Sequence, residues 1–319
     1  MKKLLVICGP TATGKTFLAV RLAKRFKGEI ISADSRQGYK GMDIGTGKDL
    51  TEGAELKVQN EKSPGYYAVN GTKIWGYDIT DPKKGFSVGQ YIKIARVVID
   101  NIWAWRKLPI LVGGTGLYIK GAVDGIPTAG VKPNLNLRKS LEGKTTEELF
   151  EILATSDAVK AASLNSSDRK NPRRLIRAIE VALQNSKTGS SKLDADVLFI
   201  GLSVPRKILN ERIDQRVEQR IKSGMEKEIK ALLAGGVKWG SQAMDALGYK
   251  QWEEYFKKPG KDLIKEIVET WKKEEHKYAK RQMTWFKKEK RINWFDITDL
   301  NFEKSVESLV NKWYSNGDV

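Results

Sequence analysis

Leu4-Leu5-Val6-Ile7-Cys8-Gly9-Pro10-Thr11-Ala12-Thr13-Gly14-Lys15-Thr16 is the stretch whose reading decides the fold. Five consecutive apolar residues fit a strand buried on both faces of a parallel sheet. The run ends in G-x-x-x-x-G-K-T, and Phe17 to Phe26 then reads as a helix with Leu18 and Leu22 on one face. Strand, glycine loop and helix in that order are the context in which this motif, the P-loop, cradles phosphate. Backbone N–H groups of Gly9, Pro10's successors Thr11, Ala12 and Thr13, and Gly14 would face phosphate oxygens at the helix N-terminus. Lys15 adds a point charge, and the Thr16 hydroxyl suits Mg²⁺. The motif promises a phosphate without saying which.

Further strands are predicted at Glu29-Ile30-Ile31-Ser32-Ala33, Pro109-Ile110-Leu111-Val112 and Val197-Leu198-Phe199-Ile200-Gly201-Leu202, with a helix from Val88 to Trp105 before the third. Strands alternating with helices predict a parallel, doubly wound α/β sheet. Ligands on such sheets sit at the carboxyl ends of the strands. Those ends here carry the P-loop, Asp34 with Ser35, and Gly113-Gly114-Thr115-Gly116. Asp34 suits a metal ligand, a general base or a cap for the next turn. The two glycines permit close backbone approach to a ligand, or simply make a turn.

Pro127 and Pro133 open a stretch of helical periodicity without strands, which closes near Gly189-Ser190-Ser191. The domains are therefore expected as a core of 1–124 with 192–296, a helical insertion of 125–191, and a tail of 297–319. The polar stretch from Leu50 to Trp75 fits a loop or hairpin excursion. Past Pro205 the chain reads as mostly helical to Arg291. Arg212, Arg216 and Arg220 recur every four residues, a spacing that suits either a diphosphate clamp or a solvated face. From Trp271 to Arg291, bases alternate with an aromatic series, Trp271, Tyr278 and Trp285, spaced for core packing on one side of a helix.

The 319 residues carry 57 Lys+Arg against 39 Asp+Glu, a net charge of +18. Such an excess favours polyanions such as nucleic acid. One cysteine, Cys8, and one histidine, His276, exclude an internal disulfide, a cysteine zinc site and any multi-histidine site. Any metal is then a hard ion on oxygen ligands. The single cysteine suits a reducing cytoplasm. The short apolar run at residues 4–8 fits neither a signal peptide nor a membrane span.

Read together, GPTATGKT, DSRQGYKGMDIGTGK from Asp34, DITDP from Asp78 and LVGGTGLYI from Leu111 resemble the tRNA dimethylallyltransferases, also called tRNA isopentenyltransferases. NPRRLIRAIEV from Asn171, RIDQRV from Arg212, SGMEKEI from Ser223, ALGYKQ from Ala246 and AKRQMTWFK from Ala279 continue the resemblance in the family's order. It implies transfer of a dimethylallyl group from dimethylallyl diphosphate to N6 of the adenosine 3′ of the anticodon, in tRNAs reading codons that begin with U. By resemblance Asp34 is the base, and Lys15, Thr16, Mg²⁺ and Arg216 stabilise the diphosphate. Also by resemblance, Asp34, Ser35, Arg36, Gln37, Thr115, Arg138, Arg173, Arg174, Arg177, Gly248, Tyr249, Lys250, Lys280, Arg281, Gln282, Trp285 and Lys287 hold the tRNA.

Two places depart from the family. Gly38 stands where an apolar residue is usual, and Ile74-Trp75-Gly76-Tyr77 replaces a proline–histidine pair. The implied protein is a compact, bacterial-type, monomeric cytoplasmic enzyme without zinc. Its fold is expected to be a P-loop NTPase-like parallel sheet flanked by helices, with a helical insertion and a helical C-terminal part. A prenyltransferase acting on free adenine nucleotides, a P-loop kinase and a non-catalytic RNA-binding module are the competing readings. The basic C-terminal helix argues against the kinase. The insertion and the C-terminal blocks argue against the free-nucleotide enzyme, and Lys15, Thr16 and Asp34 on one edge argue against the module.

Overall fold

The computed structural model describes residues 1–48, 50, 56–57, 64–184 and 189–316. Its centre is β1 (Lys3–Cys8), which pairs in parallel with β5 (Leu108–Gly113) on one side and β6 (Asp196–Ser203) on the other. Beyond β5 lie β2 (Gly28–Ser32), β4 (Thr72–Trp75) and β3 (Tyr66–Val69), and beyond β6 lies β7 (Ile292–Asp296). The order β3-β4-β2-β5-β1-β6-β7 makes one seven-stranded sheet.

The sheet is mixed rather than wholly parallel, because β3 runs antiparallel to β4. The turn between them is Asn70-Gly71, with φ of +48° and +79°. Two consecutive positive φ angles match the twist of a two-residue hairpin. This hairpin is the far end of the excursion anticipated after Leu50; most of residues 50–63 lie outside the described residues.

The period of two in β1 sends alternate side chains into two cores. Leu4, Val6 and Cys8 face one buried cluster, while Leu5 and Ile7 face the other. The first is roofed by α2 (Val88–Ala104), α3 (Gly116–Asp124), α9 (Arg206–Lys222), α10 (Met225–Ala234), α11 (Glu253–Lys257) and α12 (Lys261–Phe286). The second is covered by α1 (Lys15–Arg25) and by α13 (Phe302–Ser315), whose Val306 and Val310 are fully buried. The segment expected as a tail from residue 297 therefore carries a helix that closes one face of the sheet. Its apolar residues at i and i+4 reach the core only once β7, a strand too polar to recognise in the sequence, has turned the chain back.

Residues 124–192 form a second compact unit. It holds α4 (Leu135–Ser140), α5 (Thr146–Ser156), α6 (Ala158–Ser163), α7 (Ser166–Arg169) and α8 (Pro172–Gln184). Leu149, Leu153, Leu175 and Ile179 fill its own core. Its two ends lie side by side, since the Ile126 amide donates to Ser190 Oγ at 3.1 Å. At the centre of the unit Glu180 is wholly buried. Both of its oxygens accept from Arg138 at 2.7 and 2.9 Å, and it also receives the Asn134 amide at 2.9 Å and Arg177 at 3.1 Å. Burial works to raise the carboxyl pKa, but these donors outweigh it and hold the group at about 2.

Candidate active site

In the sheet, β2, β5 and β1 are neighbours, so the loops leaving their carboxyl ends meet. One cleft there is lined by Thr11, Ala12, Gly14, Lys15, Thr16, Asp34, Gln37, Thr46, Gly47, Gly114, Arg216, Tyr278 and Gln282. Larger hollows exist: about 690 Å³ around Lys2, Trp103 and Lys107, and about 640 Å³ between Lys40 and Val237. Neither lies at the carboxyl ends of β1, β2 and β5, where an α/β sheet presents its ligands.

The loop after β1 is shaped by three residues with positive φ, Gly9 at +137°, Ala12 at +61° and Gly14 at +75°. A Cβ on Gly9 would stand 2.4 Å from the Leu202 carbonyl oxygen, so only glycine fits beside β6. Gly14 begins α1 without a side-chain cap. The first N–H groups of α1 therefore keep their capacity to bind an anion. Lys15 Nζ donates to the Pro10 carbonyl at 2.6 Å, and Thr13 Oγ1 does so at 2.9 Å.

Among the described residues Asp34 is the one acidic side chain lining this cleft. Its Oδ1 accepts the Arg36 amide at 2.8 Å, which shapes the turn, and no hydrogen bond to another described residue engages Oδ2. The turn therefore uses one oxygen of the carboxylate and leaves the other to the cleft. Thr115 Oγ1 accepts the Ser35 amide at 3.1 Å and so ties the loop after β5 to the loop after β2. The turn after Asp34 is pinned despite Gly38: the Thr80 amide donates to the Gly38 carbonyl at 3.0 Å, and a Cβ on Gly38 would press on Ile79 at 3.2 Å.

The loop of residues 43–47 forms the far wall. Glu228 on α10 accepts the amides of Asp43, Ile44 and Gly45 at 2.8, 2.7 and 3.0 Å and the Tyr249 hydroxyl at 2.6 Å. Gln37 Nε2 donates to the Gly47 carbonyl at 3.0 Å, and its Oε1 accepts from Ser32 at 2.8 Å. Nothing in the sequence marked Glu228 for this task, because the loop amides it holds lie nearly two hundred residues away.

The arginine series divides. Arg212 is exposed, Arg216 reaches the cleft and donates to Thr11 Oγ1 at 3.0 Å, and Arg220 is buried beside Glu275 at 3.3 Å. Burial first, then the neighbouring Arg216 charge, lowers the Arg220 pKa to about 10, which leaves it charged at neutral pH. A three-arginine clamp is not what the helix presents, since α9 turns only Arg216 toward the ligand space.

The aromatic series also divides. Trp271 is core, Tyr278 lines the cleft, and Trp285 is 44% exposed with its indole over Gly116. Burial and the nearby Asp34 charge push the Tyr278 hydroxyl above its ordinary range. Cys8 is raised to about 12 by burial and is no nucleophile at neutral pH. His276 Nε2 lies 2.8 Å from Asp214, and neither residue lines the cleft.

Of the residues expected on RNA, Lys280, Arg281 and Trp285 are exposed on α12, Lys287 is exposed just past its end, and Lys250 is exposed as well. Tyr249 is fully buried and supports the 43–47 loop instead, and Gly248 is packed against Trp271. Gln282 is buried. Arg36 donates to the Gln242 carbonyl. In the second unit Arg173 and Arg174 are exposed, Arg174 beside Asp168 at 2.5 Å, while Arg138 and Arg177 are committed to Glu180.

The fold and the cleft define an α/β protein with an anion-receptive loop and a carboxylate beside it. The family model described as IPP transferase matches residues 37–289, and the one described as isopentenyl transferase matches residues 2–60. The tRNA dimethylallyltransferase of Anoxybacillus flavithermus is 38% identical over 318 residues, covering 97% of this chain and 96% of the relative. The crystal structure of the full-length tRNA isopentenylpyrophosphate transferase from Bacillus halodurans is 34% identical, with a TM-score of 0.68 over 99% of this chain and 96% of that one. A eukaryotic dimethylallyltransferase, described as acting on tRNA, shares the fold at a TM-score of 0.79 and 23% identity, over 99% of this chain and 80% of its own. The chain belongs to the IPP transferase family. Among the described residues no helix is long and apolar enough to cross a membrane.

Proposed function

We propose that this chain is a tRNA dimethylallyltransferase with a P-loop NTPase-like core. In this reading it moves the dimethylallyl group of dimethylallyl diphosphate to N6 of the adenosine 3′ of the anticodon in tRNAs reading codons that begin with U. The observation that carries the reading is one cleft in which Asp34 faces the P-loop, Lys15 and Arg216. The relatives' names and the exposed basic face of α12 support tRNA as acceptor.

The reaction forms an N6–C1 bond and breaks the C1–O bond, and the diphosphate leaves with the bonding pair. Charge then grows on the leaving oxygens, where the α1 N-terminus, Lys15 and Arg216 stabilise it. The N6 amine loses a proton as it bonds, and Asp34 Oδ2 is the acceptor at hand. The adenine reaches this cleft by flipping out of the single-stranded anticodon loop.

The cleft fits a hard cation only in part from its own donors. Among the described residues no group of three His, Cys, Asp or Glu could hold a metal. Mg²⁺ would therefore be held by the Thr16 hydroxyl together with diphosphate oxygens. When bound, it would neutralise charge on the leaving diphosphate.

The insertion, core and C-terminal segment are assigned to one monomeric cytoplasmic enzyme. Arg138, Arg173, Arg174 and Arg177 remain assigned to the RNA side, with Arg138 and Arg177 acting through the structure they brace. The test is incubation with labelled dimethylallyl diphosphate, Mg²⁺ and either tRNA or AMP. Label is expected in tRNA; label in AMP and none in tRNA would overturn the proposal.

A further inference from the structure

Gln282 lies in the block that the resemblance assigns to RNA, yet it is 5% exposed. Its neighbours Lys280, Arg281, Trp285 and Lys287 all face solvent. Its amide is committed at both ends: Oε1 accepts the Thr11 N–H at 2.9 Å, and Nε2 donates to the Gly114 carbonyl at 2.9 Å. Thr11 belongs to the loop after β1, and Gly114 to the loop after the adjacent β5. One side chain of α12 therefore bridges the two loops that wall the phosphate end of the cleft.

The glycine at 114 is part of the same device. A Cβ there would stand 2.2 Å from Gln282 Nε2, so any side chain would expel the amide. Thr11 is held from its other side as well, by Arg216 on its hydroxyl at 3.0 Å. The Thr11 amide, a donor that the motif alone would offer to phosphate, is already spoken for by the protein.

We propose that Gln282 is a positioning residue that presets the P-loop for diphosphate and is not an RNA contact. An amide suits this place because it offers one acceptor and one donor, which a carboxylate, an ammonium or a hydroxyl of similar reach does not. Fixing the loop before the ligand arrives removes an ordering cost from binding. The inference rests on the diphosphate reading given above, and it concerns the free enzyme, before tRNA or turnover.

The experiment measures binding of inorganic diphosphate with Mg²⁺ to the full chain by calorimetry, and of tRNA separately, for wild type, Gln282→Ala, Gly114→Ala and the double variant. Each single variant is expected to weaken diphosphate by about tenfold. The double variant is expected to be no worse than either single one, because both remove the same bridge. Affinity for tRNA is expected to stay within about twofold. Gln282→Glu sets a charged oxygen against the Gly114 carbonyl and beside the diphosphate, so it is expected to weaken diphosphate at least as much as Gln282→Ala even where the alanine variant folds poorly. Unchanged diphosphate binding, additive losses, or a loss confined to tRNA would each overturn the proposal. Wild type that turns over dimethylallyl diphosphate but loses only tRNA affinity in Gln282→Ala would overturn the positioning role and spare the proposed function. Wild type that binds no diphosphate would overturn both.

Discussion

Replacing Gly47 by alanine separates what the backbone needs from what the cleft needs. Gly47 has φ +64°, and a Cβ built on it would stand 2.1 Å from Arg216 Nη2 and 2.6 Å from Arg220 Nη2. Two terms follow. The left-handed conformation costs an alanine about 1 kcal/mol. The methyl also expels the Arg216 guanidinium from the cleft, and a hydrogen bond from a charged group of this kind contributes about 1.5–3 kcal/mol. Gly71 supplies the control, for it has φ +79° with nothing within 4 Å of a built Cβ. Gly71→Ala is therefore expected to lower Tm by about 2–4 °C and leave kinetics alone. Gly47→Ala should lower Tm at least as much and reduce kcat/KM for dimethylallyl diphosphate by roughly 10- to 100-fold. The assay is prenyl transfer to tRNA under varied diphosphate substrate, beside a thermal melt of each variant. A Gly47→Ala enzyme whose kcat/KM stays within about twofold of Gly71→Ala would refute the placement of Arg216 at the leaving group.

Asp34→Ala is expected to lower prenyl transfer by about 10²- to 10⁴-fold, with tRNA affinity kept within a few-fold, and retained turnover would remove Asp34 from the base role. Lys280→Ala should weaken tRNA binding whatever the anticodon-loop sequence and reduce the salt slope by about one; an unchanged slope places α12 away from RNA. Glu180 has its folded pKa depressed from 4.5 to about 2, so its stabilisation is complete above pH 4.5 and is lost as pH falls toward 2. Glu180→Gln is thus expected to cost the insertion unit about 2–3 kcal/mol at neutral pH and to flatten its stability between those pH values. Hydrogen exchange of α5 and α8 peptides in the full chain reads this, and an unchanged profile would detach Glu180 from the unit's stability.

Much of the sheet was legible because its signals are local. The strands at β1, β2, β5 and β6 are short apolar runs, the first three followed by or ending in glycine or acid, and each can be read without knowing its neighbour. β7 and α13 were not legible: Ile292-Asn293-Trp294-Phe295-Asp296 is half polar, and it becomes a strand because β6 offers its open edge. Tertiary pairing overrides weak local preference there. The cleft shows the same split. Lys15, Thr16, Asp34 and Thr115 were named from the motifs and line it or tie its loops. Spacing made Arg212, Arg216 and Arg220 equivalent and Trp271, Tyr278 and Trp285 equivalent, and the packing of α9 and α12 then assigned each a different fate.

What the sequence by itself determined is the strand–loop–helix unit at residues 3–25, the alternation of strands and helices that makes an α/β sheet, and the charge that favours a polyanion. These depend on residues within a few positions of one another. What only the tertiary structure decided is which polar groups remain for a ligand. The Thr11 amide is taken by Gln282 across 271 residues, the 43–47 loop is held by Glu228, and Arg220 is paired with Glu275 while Arg216 is left at the cleft. A hydrogen bond needs its two atoms within about 3 Å and in line. No spacing along a chain reports that condition until the chain has folded.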